Sequence, residues 1–136
     1  MAEDFGWLDT NIFIHAQTRD RHSDACRRVM NQLAGGKAKG RIDPVVAHEL
    51  TYALMSKFGF TKRMAADYIN MILTWEGVEV VGGKEPMISA ICIWQEQNIG
   101  FADALLAARA MLDGTQVLTV NVRHIAAAGA SAVAPE

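Results

Sequence analysis

The sequence predicts an α/β fold, a three-layer sandwich in which helices cover both faces of a parallel sheet. Short strand-like runs, such as residues 78–81 and 117–120, alternate along the chain with segments whose apolar residues recur at helical spacing. Strands separated by helices pair in parallel through right-handed crossovers. No repeat or low-complexity linker divides the sequence, so residues 1–136 are expected to form a single domain.

Helix boundaries follow from capping and helix-breaking residues. Ser23 begins a helical pattern that stops at Gly35-Gly36, Pro44 stands at a first helical position, and Thr61 caps the next helix. The predicted helices cover residues 23–33, 45–55, 61–75, 86–94 and 102–112, with a turn at 57–60. The predicted strands are a short one near the N-terminus, 41–42, 78–81, 117–120 and an edge strand at 132–133 after a helical turn.

Composition restricts the class of protein. With 51% hydrophobic and 21% charged residues, the chain is typical of a globular protein and not of a disordered one. Its net charge of −2 excludes a strongly basic protein that binds nucleic acid by bulk electrostatics alone. A nucleic-acid substrate would therefore have to meet a local basic patch or bound cations.

The two cysteines and the chain's hydropathy indicate the compartment. Cys26 and Cys92 lie far apart in helical apolar patterns, which favours free buried thiols over a disulfide or a zinc site. Glu3 and Asp4 replace the basic start of a secretory signal, and no apolar run approaches the roughly 20 residues that span a membrane. A cytoplasmic protein without a membrane partner is expected.

Asp9 interrupts the apolar stretch "WLDTNIFIHA". In one interpretation it ends a strand and caps the following helix, because Asp accepts hydrogen bonds from free backbone N–H groups. In the other it lies at the carboxyl end of a parallel strand, where open α/β sheets place their functional sites. This stretch alone favours the cap.

Three further polar residues lie within or at the end of apolar stretches of the sequence. Glu49 lies in the apolar helix "VVAHELTYAL", Asp103 begins the helix in "GFADALLAARA", and Asn121 closes the strand "VLTVN". Taken singly, each has a structural explanation as a solvated residue, a first-turn acid or a turn residue. Together with Asp9, an α/β sheet can bring them to one edge, where converging carboxylates require a cation such as Mg²⁺ or Mn²⁺.

The stretches "LDTNIFI", "HEL", "GFADALLAARA" and "VLTVN", in this order, resemble the PIN-domain ribonucleases and, within them, the VapC-type toxins of toxin–antitoxin pairs. The resemblance implies a parallel sheet of five strands, a metal-dependent endoribonuclease that leaves a 5′-phosphate, an antitoxin partner and often a homodimer. It implies that Asp9, Glu49 and Asp103 bind Mg²⁺ or Mn²⁺, with Asn11 and Thr119 supporting them. Asn121 departs from the family, most of whose members carry Asp there; the amide offers a neutral oxygen to the metal but removes one negative charge.

Basic residues are candidates to meet the phosphates of RNA. Lys57, Lys62 and Arg63 follow the helix of Glu49, with Lys84 and Arg123 behind them, although loop lysines are usually only solvated. His124, after the last strong strand, could orient substrate or be an ordinary surface residue.

The aromatic residues Tyr68, Trp75 and Trp94 predict a twofold dimer interface on the helices over 61–75 and 87–94. A non-catalytic RNA-binding or scaffold module is the alternative function, and an Asp-nucleophile phosphohydrolase is disfavoured because position 11 is Asn and not a second acid.

Overall fold

The computed structural model describes residues 2–136, which divide into two compact units on either side of the Lys84–Glu85 bond. The first unit is a parallel three-stranded sheet in the order β1-β2-β3, with four helices between its strands. Its elements are β1 (Glu3–Trp7), α1 (Thr10–Gln17), α2 (Ser23–Ala34), β2 (Ala38–Ile42), α3 (Pro44–Phe58), α4 (Lys62–Leu73) and β3 (Val78–Val80).

Local signals explain where the helices of this unit begin and end. The side chain of Asp43 accepts a hydrogen bond from the Val45 N–H at 3.0 Å and caps α3. Thr61 caps α4 in the same way, with the Met64 N–H donating to its Oγ1 at 3.1 Å. Gly59 ends α3 with a φ of 66°, a left-handed conformation that favours glycine.

The core of the first unit lies between the sheet and the helices. Phe13, Leu33, Leu54 and Ile72 are fully buried, one from each helix. Gly77 directly precedes β3, and its backbone lies close to Ala38 and Leu33. A Cβ at this position would overlap the carbonyl oxygen of Ala38 and press on the backbone of Leu33. Only glycine lets the backbone of this turn approach β2, which fixes β3 beside it.

The second unit packs a helical pair against a short parallel ladder. Its elements are α5 (Lys84–Glu96), whose first residue belongs to the first unit, α6 (Phe101–Asp113), β4 (Val117–Leu118), α7 (Val122–Ala127) and β5 (Ala132–Val133). Val117 pairs with Ala132 in parallel register. Ala107, Ala110, Val117, Ile125 and Ala130 form the buried cluster of this unit.

The α/β class with parallel pairing is confirmed, but the number of strands in the main sheet differs from the prediction. Among residues 2–136, three strands form one sheet and two form another, where a single sheet of five was expected. The run over 117–120 forms a ladder only over Val117–Leu118. The chain turns after it, because the Asn121 N–H donates to Thr119 Oγ1 at 2.9 Å, and Val120 is exposed. The single domain over 1–136 stays a prediction.

Two boundaries differ in ways that concern function. Helix α3 continues through Lys57 and Phe58, where a turn was predicted. Helix α5 begins at Lys84, two residues before Pro86. The helix over 23–33, the cap at Thr61 and the edge strand at 132–133 are confirmed. No helix within the described chain is long and apolar enough to cross a membrane.

The aromatic residues that suggested a dimer interface are buried or half-buried. Trp94 is buried, and Trp75 is half-buried. Tyr68 is half-buried as well: its hydroxyl accepts a hydrogen bond from Gln17 Nε2 at 3.0 Å and donates to the Phe13 carbonyl at 3.4 Å. Met64, on the same helix as Tyr68, is 48% exposed. Trp94 therefore offers almost no surface to a partner, while Trp75 and Tyr68 keep part of theirs, and the homodimer stays a prediction.

Candidate metal and RNA site

The start of α1 and one face of α3 line an open cavity of about 460 Å³ in the first unit. The two elements meet because α1 follows β1 directly and packs against α3. The cavity is lined from α1 and its cap by Asp9, Thr10, Asn11 and Ile14, and from α3 by His48, Glu49, Tyr52, Ala53 and Lys57. Its volume lies in the range of small-molecule binding sites, about 300–1,000 Å³.

Asp9 occupies both of the positions that its sequence context allowed. It follows β1 with extended backbone and caps α1, its Oδ1 accepting the Asn11 N–H at 3.4 Å. This hydrogen bond is long, so it holds the carboxylate weakly. The same side chain is exposed and lines the cavity, which leaves its charge available to a ligand.

Glu49 lines the same cavity, but from helix α3. Its side chain is exposed and forms no ion pair or hydrogen bond with any of residues 2–136. Asp9 likewise has no cationic partner within residues 2–136. Two carboxylates without a protein cation make this end of the cavity negative, and such a pair attracts a divalent ion.

Thr10 lines the same cavity as these acids. Its side chain is only 5% exposed, and its Oγ1 has no hydrogen-bond partner in the part of the chain that the structure describes. Buried hydroxyls nearly always have one, so an unpaired oxygen at the wall of a cavity suits a site that holds a polar ligand.

The donor atoms of this cavity suit Mg²⁺ or Mn²⁺. Mg²⁺ in proteins is usually held by one or two carboxylates, with waters and substrate phosphate completing the octahedron. Asp9 and Glu49 supply those carboxylates. Within residues 2–136 no group of three or more His, Cys, Asp or Glu side chains is arranged to hold a metal ion. The carboxylate pair fits such an ion when a phosphate completes the coordination.

The other predicted ligands lie in the second unit. Asp103 is half-buried in the first turn of α6. Asn121 stands at the start of α7 with no capping hydrogen bond from its side chain, so its amide is not engaged as a helix cap. Thr119 Oγ1 accepts the Asn121 N–H and so orients the backbone that carries this amide. The joint ligand set of Asp9, Glu49, Asp103 and Asn121 stays a prediction.

Of the three predicted substrate-binding cations, only Lys57 lines the cavity. Because α3 extends past the predicted turn, Lys57 projects from the same helix as Glu49, two turns along. Lys62 is half-buried in the first turn of α4, and burial lowers the pKa of its amine. Arg63 is exposed on α4 and is not among the lining residues.

The more distant basic candidates have other surroundings. Lys84 Nζ donates to the Trp75 carbonyl at 3.0 Å, which ties it to the end of α4. Arg123 and His124 line a separate cavity of about 260 Å³ in the second unit. There His124 Nε2 lies 3.0 Å from the Asn98 carbonyl oxygen, a contact in which the ring donates the hydrogen bond.

Sequence reasoning missed Thr10, His48 and Tyr52, which the structure places at the cavity. A helical signal could have found two of them. Residues three and four apart share a face of a helix. Tyr52 follows Glu49 by three residues, and His48 precedes Tyr52 by four, so both could have been inferred from Glu49.

Fold and site together define an α/β protein with a carboxylate cavity at the carboxyl end of a parallel strand. The chain belongs to the PIN domain family, which it matches over residues 7–130. Proteins of this family are generally nucleases, and they generally use divalent metal ions. No curated protein matches the chain.

Proposed function

We propose that this protein is a Mg²⁺- or Mn²⁺-dependent endoribonuclease and the toxin component of a type II toxin–antitoxin pair. The observation that carries the proposal is the cavity in which the exposed carboxylates Asp9 and Glu49 stand with Lys57. Membership of the PIN domain family supports nuclease chemistry at this place. The resemblance of "LDTNIFI" and "GFADALLAARA" to VapC-type toxins supports the narrower assignment.

Asp9, Glu49, Asp103 and Asn121 are the residues that we propose to hold the cation. When bound, the ion polarises the scissile phosphate and lowers the pKa of an attacking water. The carboxylates of Asp9 and Glu49 also accept hydrogen bonds, so they orient that water for attack in line with the leaving 3′-oxygen. Asn11 and Thr119 support the site, because the Asn11 backbone N–H donates to Asp9 Oδ1 and Thr119 Oγ1 accepts the Asn121 backbone N–H.

Lys57 is proposed to bind a phosphate that flanks the scissile bond. No ion pair engages its ammonium group within residues 2–136, and it lies two helical turns, about 12 Å, from Glu49. A cation at this distance holds the strand without neutralising the acids. Lys62 and Arg63, outside the cavity, are proposed as weaker contacts to more distant phosphates.

Two protein partners belong to the proposal. A homodimer has support on α4, where Met64 and Met71 are exposed seven residues apart and therefore on one face of the helix. The small antitoxin protein rests on the resemblance to VapC-type toxins alone. The cytoplasm is the compartment in which such a pair would act.

A non-catalytic RNA-binding or scaffold module is the second candidate function. Asn121 favours it, because this residue gives the proposed site one carboxylate fewer than the family's usual acid would give. The two functions differ in one measurable property, which is metal-dependent cleavage of RNA by the purified protein.

The test compares cleavage of a fluorescent single-stranded RNA with Mg²⁺, with Mn²⁺ and with a chelator. Glu49→Gln keeps the size of the side chain and removes its charge, so we expect cleavage to fall by about 100-fold or more. Glu85→Gln is the matched control, since Glu85 is exposed in α5 and lies outside the cavity. Cleavage that survives the chelator, or Glu49→Gln cleaving as well as the control, would contradict the proposal. A folded wild-type protein that binds RNA and never cleaves it would favour the scaffold.

A further inference from the structure

Tyr52 is the aromatic residue of the cavity wall, and the proposed chemistry does not use it. Its side chain is 74% exposed, although it lies on the central helix of the first unit. No hydrogen bond to its hydroxyl and no contact with another ring occurs among residues 2–136. Packing within the described chain therefore does not hold this ring in place.

Tyr52 lies on α3 between the two charged residues of the cavity wall, Glu49 and Lys57. It follows Glu49 by three residues and precedes Lys57 by five, which is about 4.5 Å and 7.5 Å along the helix axis. All three side chains line the same cavity, with Ala53 presenting only a methyl group beside them. The wall thus offers an acid, an aromatic surface and a cation in this order.

We propose that Tyr52 is a base-stacking residue, on which the nucleobase beside the scissile phosphate rests while Lys57 binds the next phosphate. This inference deepens the proposed function and rests on it. Alternating aromatic surface and positive charge match the alternating bases and phosphates of a nucleic-acid strand. The volume of about 460 Å³ is that of a small-ligand pocket and accommodates one nucleotide.

The substrate is consequently unpaired at the cleavage site. Bases of an A-form duplex are stacked on their neighbours, and the deep, narrow major groove hides their edges, whereas bases of loops and single strands can stack on aromatic side chains. Because every base has a π-face, stacking on Tyr52 selects single-stranded structure more than sequence.

The experiment measures binding to RNA that stays intact. A single-stranded oligonucleotide with one 2-aminopurine, and the same sequence as a duplex, are titrated in Mg²⁺ with protein that carries Glu49→Gln. In this background, Tyr52→Ala is expected to weaken single-strand binding by about 5- to 150-fold, the range that loss of one stacked base produces. Tyr52→Phe is expected to bind as tightly as the Glu49→Gln protein, because the ring and not the hydroxyl stacks. Quenching of 2-aminopurine on binding should disappear with Tyr52→Ala.

Leu112→Ala is the matched control, since Leu112 is also exposed and apolar but lies on α6, outside the cavity. The inference is overturned if Tyr52→Ala binds within twofold of this control, or if it loses single-strand and duplex binding equally. It is also overturned if Tyr52→Phe binds as weakly as Tyr52→Ala. Failure of the proposed function is a different result, namely wild-type protein that shows no metal-dependent cleavage. Wild-type cleavage together with unchanged kcat and KM in Tyr52→Ala rejects the stacking role alone.

Discussion

Substitution of Asp9 separates its structural role from its proposed chemical role. Asn is as good as Asp at a helix N-cap, and its Oδ1 can accept the Asn11 N–H as the carboxylate does. Asp9→Asn should therefore keep the cap while it removes the charge. Asp9→Ala removes both the cap and the charge.

The magnitudes of the two effects differ widely. A lost N-cap costs about 0.5–2 kcal/mol, and the 3.4 Å hydrogen bond of Asp9 is long, so Asp9→Ala is expected near the lower end. That corresponds to a fall of a few degrees in Tm. Asp9→Asn should change the free energy of unfolding by less than about 0.5 kcal/mol, since Asn keeps the cap and only the attraction of one exposed charge to the helix dipole is lost. Loss of one preorganised charge at the reacting phosphate costs about 3–4 kcal/mol, or roughly 100- to 1,000-fold in kcat.

The assay is cleavage of single-stranded RNA in Mg²⁺, with thermal melting of each variant in chelator. Asp67→Asn is the control, because Asp67 is an exposed acid on α4 that does not line the cavity. The reasoning is refuted if Asp9→Asn melts like wild type and cleaves RNA at nearly the wild-type rate. In that case Asp9 is a cap only. If Asp9→Asn unfolds, the carboxylate stabilises the fold in a way that its single hydrogen bond does not explain.

Two further predictions concern the second unit and the turn between α4 and β3. Asn121→Asp restores a fourth acid, so it should tighten metal binding and give a larger rise in Tm on adding Mg²⁺ than wild type shows, because a ligand that binds only the folded state stabilises it; an equal rise would place residue 121 away from the metal. Gly77→Ala should lower the free energy of unfolding by about 1–3 kcal/mol in urea denaturation, because its Cβ overlaps the Ala38 carbonyl. Gly35→Ala, with ordinary contacts and a φ of −84°, should change it by less than about 0.5 kcal/mol, and equal effects of the two would contradict this account.

The sequence by itself determined the features that depend on a few neighbouring residues. Asp43-Pro44 and Thr61 start helices, and Gly59 ends one, because caps and a left-handed turn act within one helical turn. The alternation of strands and helices was enough for parallel pairing. Both interpretations of Asp9, a helix cap and a residue at the carboxyl end of a strand, came from its position after a strand, which is a local property.

Only the tertiary structure decided which residues meet across elements. Asp9 and Glu49 share a cavity because α1 packs on α3, a contact between segments about 40 residues apart that no local preference encodes. The packing of these helices leaves Tyr52 exposed beside the acids, while Trp94, equally apolar by sequence, is buried. The division into sheets of three and two strands follows from hydrogen bonds between distant segments. Burial and pairing are properties of the packed whole, so the local sequence can indicate candidates but cannot choose among them.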